Sequence, residues 1–337
     1  MHDSSCTPAS DDALGRSAVE AWRRLRPQSP QTVRVDLIGD KRSLKRKKQI
    51  FRFTVDDGER RGLLVVAKKS SSETGLAEHR AYEILSQISA RSLDCYGFVS
   101  DTGAETSDAW WLFIEDAGDA TFDPCSDAHR ASACEWIATM HVETSRSGTR
   151  HPRSRGVDYY ALLCSGNKTA LQAAVRNGSF GASDVWTLNS LVVAHDTLEG
   201  HWDELRLACE RVPQSLTHNA LLDRNLRVRH HRDAVDFLAF DWEHAGWGTP
   251  AVDIARLAGW ASGEGVLEYC RRVRTAWPGV TVVDIQKLAI AGELFRSIQC
   301  IAWEAPSIES SWYSRPLVRL ETYRQHLDDQ LAALTSR

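Results

Sequence analysis

"FLAFDWEHAGWGTPAVDIARLA" (residues 237–258) is the stretch on which the fold turns. It closes the hairpin pattern of "LRVRHHRDAVDFLAFDWE" (226–243) and brings Asp241 to its end. The following "GWGTP" is turn chemistry: Thr249 is placed to cap a helix, with Pro250 at its first position. Asp253 then falls early in that helix, where the positive end of the dipole favours a carboxylate, a role that can be purely structural.

Upstream lies "LTHNALLDRN" (216–225), with His218 and, seven residues later, Asn225. Magnesium is a hard, octahedral ion that takes few protein ligands, all through oxygen. A side-chain amide, Asn225, and a carboxylate, Asp241, on the two sides of a hairpin supply such a pair. Ala220 stands two residues after His218 and five before Asn225 and carries only a methyl group.

The chain has 337 residues, which favours two lobes over one small core. Hydrophobic content of 42% and charged content of 26% are ordinary for a globular protein, and a net charge of −4 argues against a general nucleic-acid binder. The eight cysteines show no CxxC and no Cys/His ligand spacing, which suits a reducing cytoplasm better than a zinc site or a disulfide framework. Neither a signal peptide nor a membrane-length apolar run is expected from the composition.

Residues 1–15 read as a disordered tail. "VRVDLIG" (33–39) and "QIFRFTV" (49–55) read as a long-looped hairpin, "GLLVVAK" (62–68) as a covered strand, and "TGLAEHRAYEILSQISA" (74–90) as a helix. Two more strands follow, and from about 126 the pattern is helical, interrupted by the 226–243 hairpin. The expected organisation is α+β and bilobal: a β-rich N-lobe over 16–117 and a larger helical C-lobe over 118–337.

Lys68 closes the apolar strand. It either snorkels to solvent or holds a phosphate. Glu78 shares a helix face with Ala81, Tyr82 and Leu85, and a carboxylate on a buried face wants a cation, so Lys68 and Glu78 are expected to pair, for structure or for function. Between 41 and 48 lie six Lys or Arg, at the place where a kinase carries its phosphate loop, with a single glycine, Gly39, before them. This is either a solvated loop tip or a cationic cover for a polyphosphate; an acidic partner or nucleic acid touching the loop is a third reading.

Together these residues resemble the aminoglycoside phosphotransferases and related small-molecule kinases with a protein-kinase-like fold. That family reads H-G/N-D-x-x-x-x-N, then D-W/F-E-x-A-G-W/x-G-x-P-x-x-D-L-A; here the matches are "HNALLDRN" (218–225) and "DWEHAGWGTPAVDIA" (241–255). "ACEWIATMH" (133–141) is similar to the family's L-A-x-L-H helix, and "LFIEDAGD" (112–119) to its hinge. The resemblance implies that Lys68 holds the α/β-phosphates of ATP or GTP and pairs with Glu78. It implies that backbone groups from Glu115 to Ala117 hold the base, and that Asn225 and Asp241 bind Mg²⁺.

The resemblance also gives Ala220 its meaning, because the family has there the Asp that accepts the substrate hydroxyl's proton. Three explanations stand: a chain altered to trap substrate, a natural pseudokinase that binds nucleotide as a regulator, or a substitute carboxylate, Asp223 or Glu243. A general base contributes about 10²- to 10⁴-fold, so the first reading implies a slow kinase that still binds nucleotide. The implied acceptor is a hydroxyl of a small molecule, such as an antibiotic, nucleoside or other natural product. Its expected lining lies in 153–163, 167–186 and 301–315. Asp158, Glu304 and Glu309 are too sparse, and Arg176 and "RHPRSRG" too near, for the acidic pocket a polycationic aminoglycoside needs; aromatics at 303, 312 and 313 suit a planar acceptor or a packing seam.

Overall fold

The computed structural model describes residues 9–27, 32–43, 46–56, 61–102, 108–232, 234–259, 264–308 and 314–335. In chain order the first elements are α1 (Ala9–Leu25), β1 (Thr32–Ser43), β2 (Arg46–Asp56), β3 (Leu63–Ser71), α2 (Ser72–Leu85), β4 (Cys95–Ser100), β5 (Ala109–Glu115) and α3 (Asp127–Arg146). Then come β6 (Ser154–Arg155), α4 (Val157–Asn177), α5 (Ala182–Gly200), α6 (Trp202–Glu210), β7 (Ser215–Thr217), β8 (Leu226–His230), β9 (Val235–Ala239) and β10 (Gly246–Gly248). Helices α7 (Ala251–Ala258), α8 (Glu264–Val273), α9 (Val282–Glu304) and α10 (Ser314–Thr335) complete the chain. It divides into two compact units, Met1–Gln87 with Arg91–Thr121 and Arg224–His244, and Ile88–Ala90 with Phe122–Asp223 and Ala245–Arg337.

The first unit is a five-stranded antiparallel sheet in the order β1-β2-β3-β5-β4. Strand alternation sorts its side chains onto two faces. Phe51, Phe53, Val65, Ala67, Trp111 and Phe113 point to one face and pack with Ala18, Ala21 and Trp22 of α1. Residues 9–15, expected as part of a tail, are therefore helical, because this helix covers the sheet; residues 1–8 lie outside the described residues. The opposite face carries Lys68, paired in register with Ile50 and Leu112, and meets α2. Ser71 caps α2 by accepting from Thr74 N.

The β8–β9 hairpin counts with this unit and not with the helical one, as the 117/118 boundary would have it. Val228 N donates to Ala120 O at 3.0 Å, and Thr121 bridges Arg227, so the strand is bonded to the segment that leaves β5.

The second unit is mainly helical. In α9 the side chains of Leu288, Leu294, Phe295, Ile298 and Ile301 are fully buried. Helix α7 crosses α9 so closely that a Cβ on Gly292 would lie 1.9 Å from Ala251 O. A three-stranded sheet, order β6-β10-β7, is added to the expected helices. Gly246 and Gly248 let β10 press on β6: a Cβ on Gly248 would lie 2.1 Å from the Arg155 carbonyl carbon. This explains the "GWG" run, and β7 delivers the chain directly to His218. The helix after it starts at Ala251 with Pro250 at the cap, one residue later than the Thr249 cap expected.

Candidate active site

In the first unit, Lys68 is 5% exposed and Glu78 1%. Lys68 Nζ donates to Glu78 Oε2 at 2.7 Å and to Asp241 Oδ1, and Glu243 Oε2 lies 4.0 Å away. Burial opposes the Lys68 charge, yet Glu78, Asp241 and Glu243 outweigh it and raise the pKa. Burial raises Glu78 as well, with Lys68 pulling it back. The cation is thus fixed, and it gathers three carboxylates at one point.

Asp241 sits at φ 67°, in the left-handed region that non-glycine residues rarely enter. Its neighbour Trp242 anchors this turn: it is fully buried, donates through Nε1 to Ala239 O at 3.2 Å, and packs on Tyr82 of α2. Asn225, 2% exposed, ends a 3-10 turn over Asp223–Asn225. Its carbonyl accepts from Phe240 N at 3.1 Å, which closes the hairpin and holds Asn225 and Asp241 at the same end of it. This amide and carboxylate are hard oxygen donors, few in number, and fit a magnesium ion completed by phosphate and water.

The segment after β5 is fastened on several sides. Glu115 N donates to Asp94 O at 2.7 Å, and Asp116 N to Leu64 O at 3.2 Å. The Asp116 carboxylate takes Arg52 and Gly118 N, and Arg229 reaches Glu115 Oε1 at 2.7 Å and Asp116 O at 3.1 Å. The hydrogen bond to Asp116, with a second to Asp119, raises the Arg52 pKa. A cavity of about 570 Å³ opens here, lined in part by Leu64, Tyr96, Ala117, Gly118 and Arg229. In the basic 41–48 stretch, residues 44 and 45 lie outside the described residues.

In the second unit, the loop after β7 is held by a residue whose importance the sequence understated. Asp253, 1% exposed, accepts from His218 N at 2.7 Å and Asn219 N at 2.8 Å. His141 Nε2 lies 3.3 Å from the same carboxylate, and its Nδ1 lies 2.9 Å from Tyr269 Oη. A protonated Nε2 facing the carboxylate leaves Nδ1 to accept from the tyrosine. Asn219 sits at φ 62°, which asparagine tolerates, and its amide is tied to Thr217 Oγ1 at 2.8 Å and Tyr160 Oη at 2.9 Å. Ala220 N donates to His218 Nδ1 at 3.2 Å, and Ala220 O accepts from Leu222 N at 2.7 Å. The loop is braced throughout, and at residue 220 it presents a methyl group.

Asp223 pairs with Arg256. Of the acids in the expected acceptor lining, Asp158 pairs with Arg206 and Glu304 with Arg319, both at 2.7 Å; Glu309 and the aromatics Trp312 and Tyr313 lie outside the described residues. Trp303 is 39% exposed on α9. Arg155, 8% exposed, stacks on Tyr159 at 4.2 Å, and burial lowers its pKa. The bracing partners Asp253, His141 and Trp242 were each inside a quoted motif; the signal that identifies their roles is a contact distant in sequence.

The sequence profile of the phosphotransferase enzyme family (APH) matches residues 46–281. Comparison with curated protein sequences gives no match. Among solved structures, a putative aminoglycoside phosphotransferase of Ralstonia eutropha JMP134 is similar at 13% identity, covering 94% of this chain and 97% of its own, with a TM-score of 0.56. A choline kinase of Cryptosporidium parvum Iowa II is similar at 12% identity and 96% coverage of both chains, with a TM-score of 0.58. The ADP-bound aminoglycoside phosphotransferase APH(2'')-Ib shares 12% identity, covering 92% of this chain and 98% of its own, with a TM-score of 0.55. Such likenesses carry the fold, which is kinase-like and α+β. The profile match spans well over half of the chain, and the chain belongs to the phosphotransferase enzyme family.

Proposed function

We propose that this protein transfers the terminal phosphate of a nucleoside triphosphate to a hydroxyl of a small molecule, and that Ala220 slows the transfer. The observation that carries this is the intact cluster of Lys68, Glu78 and Asp241, with Asn225 at the same end of the hairpin as Asp241. In this reading Lys68, held by Glu78, would bind α/β-phosphate oxygens, and Asn225 and Asp241 would hold Mg²⁺. Bound there, the ion would neutralise charge on the β- and γ-phosphates. Glu115 and Ala117 present backbone groups for the base. In this reading the His218–Ala220 loop, braced by Asp253, is the catalytic loop, with the proton-accepting carboxylate absent from residue 220.

The substitute bases are weakened as candidates by their partners. Asp223 is committed to Arg256, and Glu243 lies near the Lys68 cation. The acceptor is proposed to be other than a polycation, since Asp158 and Glu304 are both neutralised by arginine and Arg155 is the buried charge beside Tyr159. An antibiotic or nucleoside acceptor, and with it a resistance role, belongs to this proposal, as does a cytoplasmic setting. A second reading, a nucleotide-binding pseudokinase, is favoured by Ala220 itself. The first test is titration calorimetry with Mg·ATP and Mg·GTP on this chain and on Asp241→Asn. Both readings require binding that the variant weakens at least about tenfold, and absence of binding by the intact chain rejects both.

A further inference from the structure

In the second unit a row of side chains runs from β6 to α9. Arg155 ends β6, and its stem lies so close to β10 that a Cβ on Gly246 would stand 2.4 Å from its Cγ. The guanidinium lies 4.2 Å from the Tyr159 ring centroid and donates through Nη1 to Ser154 O at 3.1 Å. Tyr159 meets Tyr160 edge-on at 5.0 Å, and Tyr160 lies flat on Phe295 of α9 at 4.3 Å. The Tyr160 hydroxyl donates to Asn219 Oδ1 at 2.9 Å, beside Ala220. The row therefore abuts the loop at which, under the proposed function, the acceptor hydroxyl reacts.

Two observations give the row a chemistry. The first is its charge. Burial opposes the Arg155 cation, and Arg153 stands near enough to oppose it further. Arg150 lies 5.7 Å from the ring centroid of Trp247, the β10 residue that pairs with Ser154, so three arginines gather about β6. The second is Gln299, one helical turn after Phe295 on the same face of α9. It is 1% exposed, and neither its Nε2 nor its Oε1 has a hydrogen-bond partner among the described residues. A buried amide in this state destabilises the fold relative to an apolar side chain of its size, and a ligand that bonds to it explains its presence.

We infer that the acceptor is a hydroxylated anion whose carboxylate or phosphate group is received by Arg155 and by the amide of Gln299. The inference rests on the proposed phosphotransfer and narrows the acceptor to a molecule that carries an acid group as well as the reacting hydroxyl. A guanidinium offers parallel N–H groups that match two oxygens of either anion, and Tyr159 fixes its plane. Gln299 Nε2 donates to the same anion, while Oε1 accepts from a hydroxyl of the ligand. Withdrawal from water strengthens these contacts, and the same arginines repel a polycation.

The test uses small aromatic probes of similar shape: benzoate and phenyl phosphate, neutral benzamide, and cationic benzyltrimethylammonium. Mg·AMP-PNP is titrated first and then kept saturating, so that the probes do not compete for Lys68. Dissociation constants come from ligand-observed NMR. At least one anion should bind about tenfold or more tighter than benzamide, and the cation no tighter than benzamide. The tighter anion tells a carboxylate site from a phosphate site. Arg155→Gln should bring the anions down to the affinity of benzamide. Gln299→Leu should weaken them about threefold or more and also raise the melting temperature of the ligand-free chain, because it removes an unsatisfied amide. Three results overturn the inference: no preference for either anion over benzamide, anion affinity unchanged in Arg155→Gln, or a lower melting temperature with unchanged anion affinity in Gln299→Leu, which makes the amide purely structural. Should Arg155→Gln not fold, Arg155→Lys carries the comparison, since a point charge in place of the fork must weaken the anions and leave benzamide unchanged. Failure of AMP-PNP to bind rejects the proposed function; AMP-PNP binding without anion preference rejects this inference alone.

Discussion

Replacing Lys68 with methionine removes a cation from among Glu78, Asp241 and Glu243 while keeping most of its volume. The side chains of Asp241 and Glu243 are 21% and 17% exposed and can hydrate, but Glu78 is 1% exposed, and its Oε1 has no partner among the described residues. Breaking a buried pair by deleting one partner costs about 3–5 kcal/mol. The cost depends on pH. Burial already raises the Glu78 pKa, and losing Lys68 removes the group that pulls it back. A carboxyl whose folded pKa lies above its unfolded value costs nothing below the unfolded value, and the cost grows as pH rises to the folded one. The raised pKa of Lys68 gives the parent stability that is constant until pH approaches the unfolded lysine value, so it leaves this window unaffected. Urea unfolding of Lys68→Met should therefore show a deficit that grows between pH 4.5 and pH 8 and reaches about 3–5 kcal/mol near pH 8. The double variant Lys68→Met/Glu78→Leu, which removes both charges, should recover at least about 2 kcal/mol of that at pH 8. A deficit below about 1 kcal/mol at pH 8, or one independent of pH, refutes the reasoning.

Two further outcomes follow from the second unit. Asp253→Asn leaves one acceptor oxygen where the carboxylate serves the amides of His218 and Asn219, so it should cost about 2–4 kcal/mol in chemical denaturation and speed hydrogen exchange at those two amides; unchanged exchange there would mean the loop is held by other contacts. Gly292→Ala places a methyl 1.9 Å from Ala251 O, so α7 and α9 must separate, at about 1–3 kcal/mol read as a lower melting temperature; an unchanged melting temperature would show that the crossing has slack.

Local pattern made much of the fold and site legible. The continuous apolar run of "GLLVVAK" read as a strand closed by Lys68, and the 3.6-residue spacing around Glu78 put that carboxylate on a buried helix face in want of a cation; the two meet at 2.7 Å. Asn225 and Asp241 were legible for the same reason, since a hairpin brings its two ends together. The less legible parts depend on distant packing. Residues 9–15 carry too few apolar side chains to show a helical period, and the helix takes its stability from the sheet face that Trp22 covers. Asp253 looked like a favourable charge in a first helical turn, but its function lies in the amides of His218 and Asn219, 35 and 34 residues earlier. The small sheet of β6, β10 and β7 was missed because its strands have two or three residues, too few for any period to show.

The most direct test of the account restores the missing base. This chain and its Ala220→Asp variant would each receive Mg·ATP and a panel of hydroxylated antibiotics, nucleosides and sugars, with phosphate transfer followed by mass spectrometry. The account predicts transfer to at least one acceptor in the variant, at least about 10²-fold faster than in the parent. Equal rates would show that residue 220 is not the site of the base. Nucleotide binding by both chains with transfer by neither would contradict the kinase reading and leave the pseudokinase in its place.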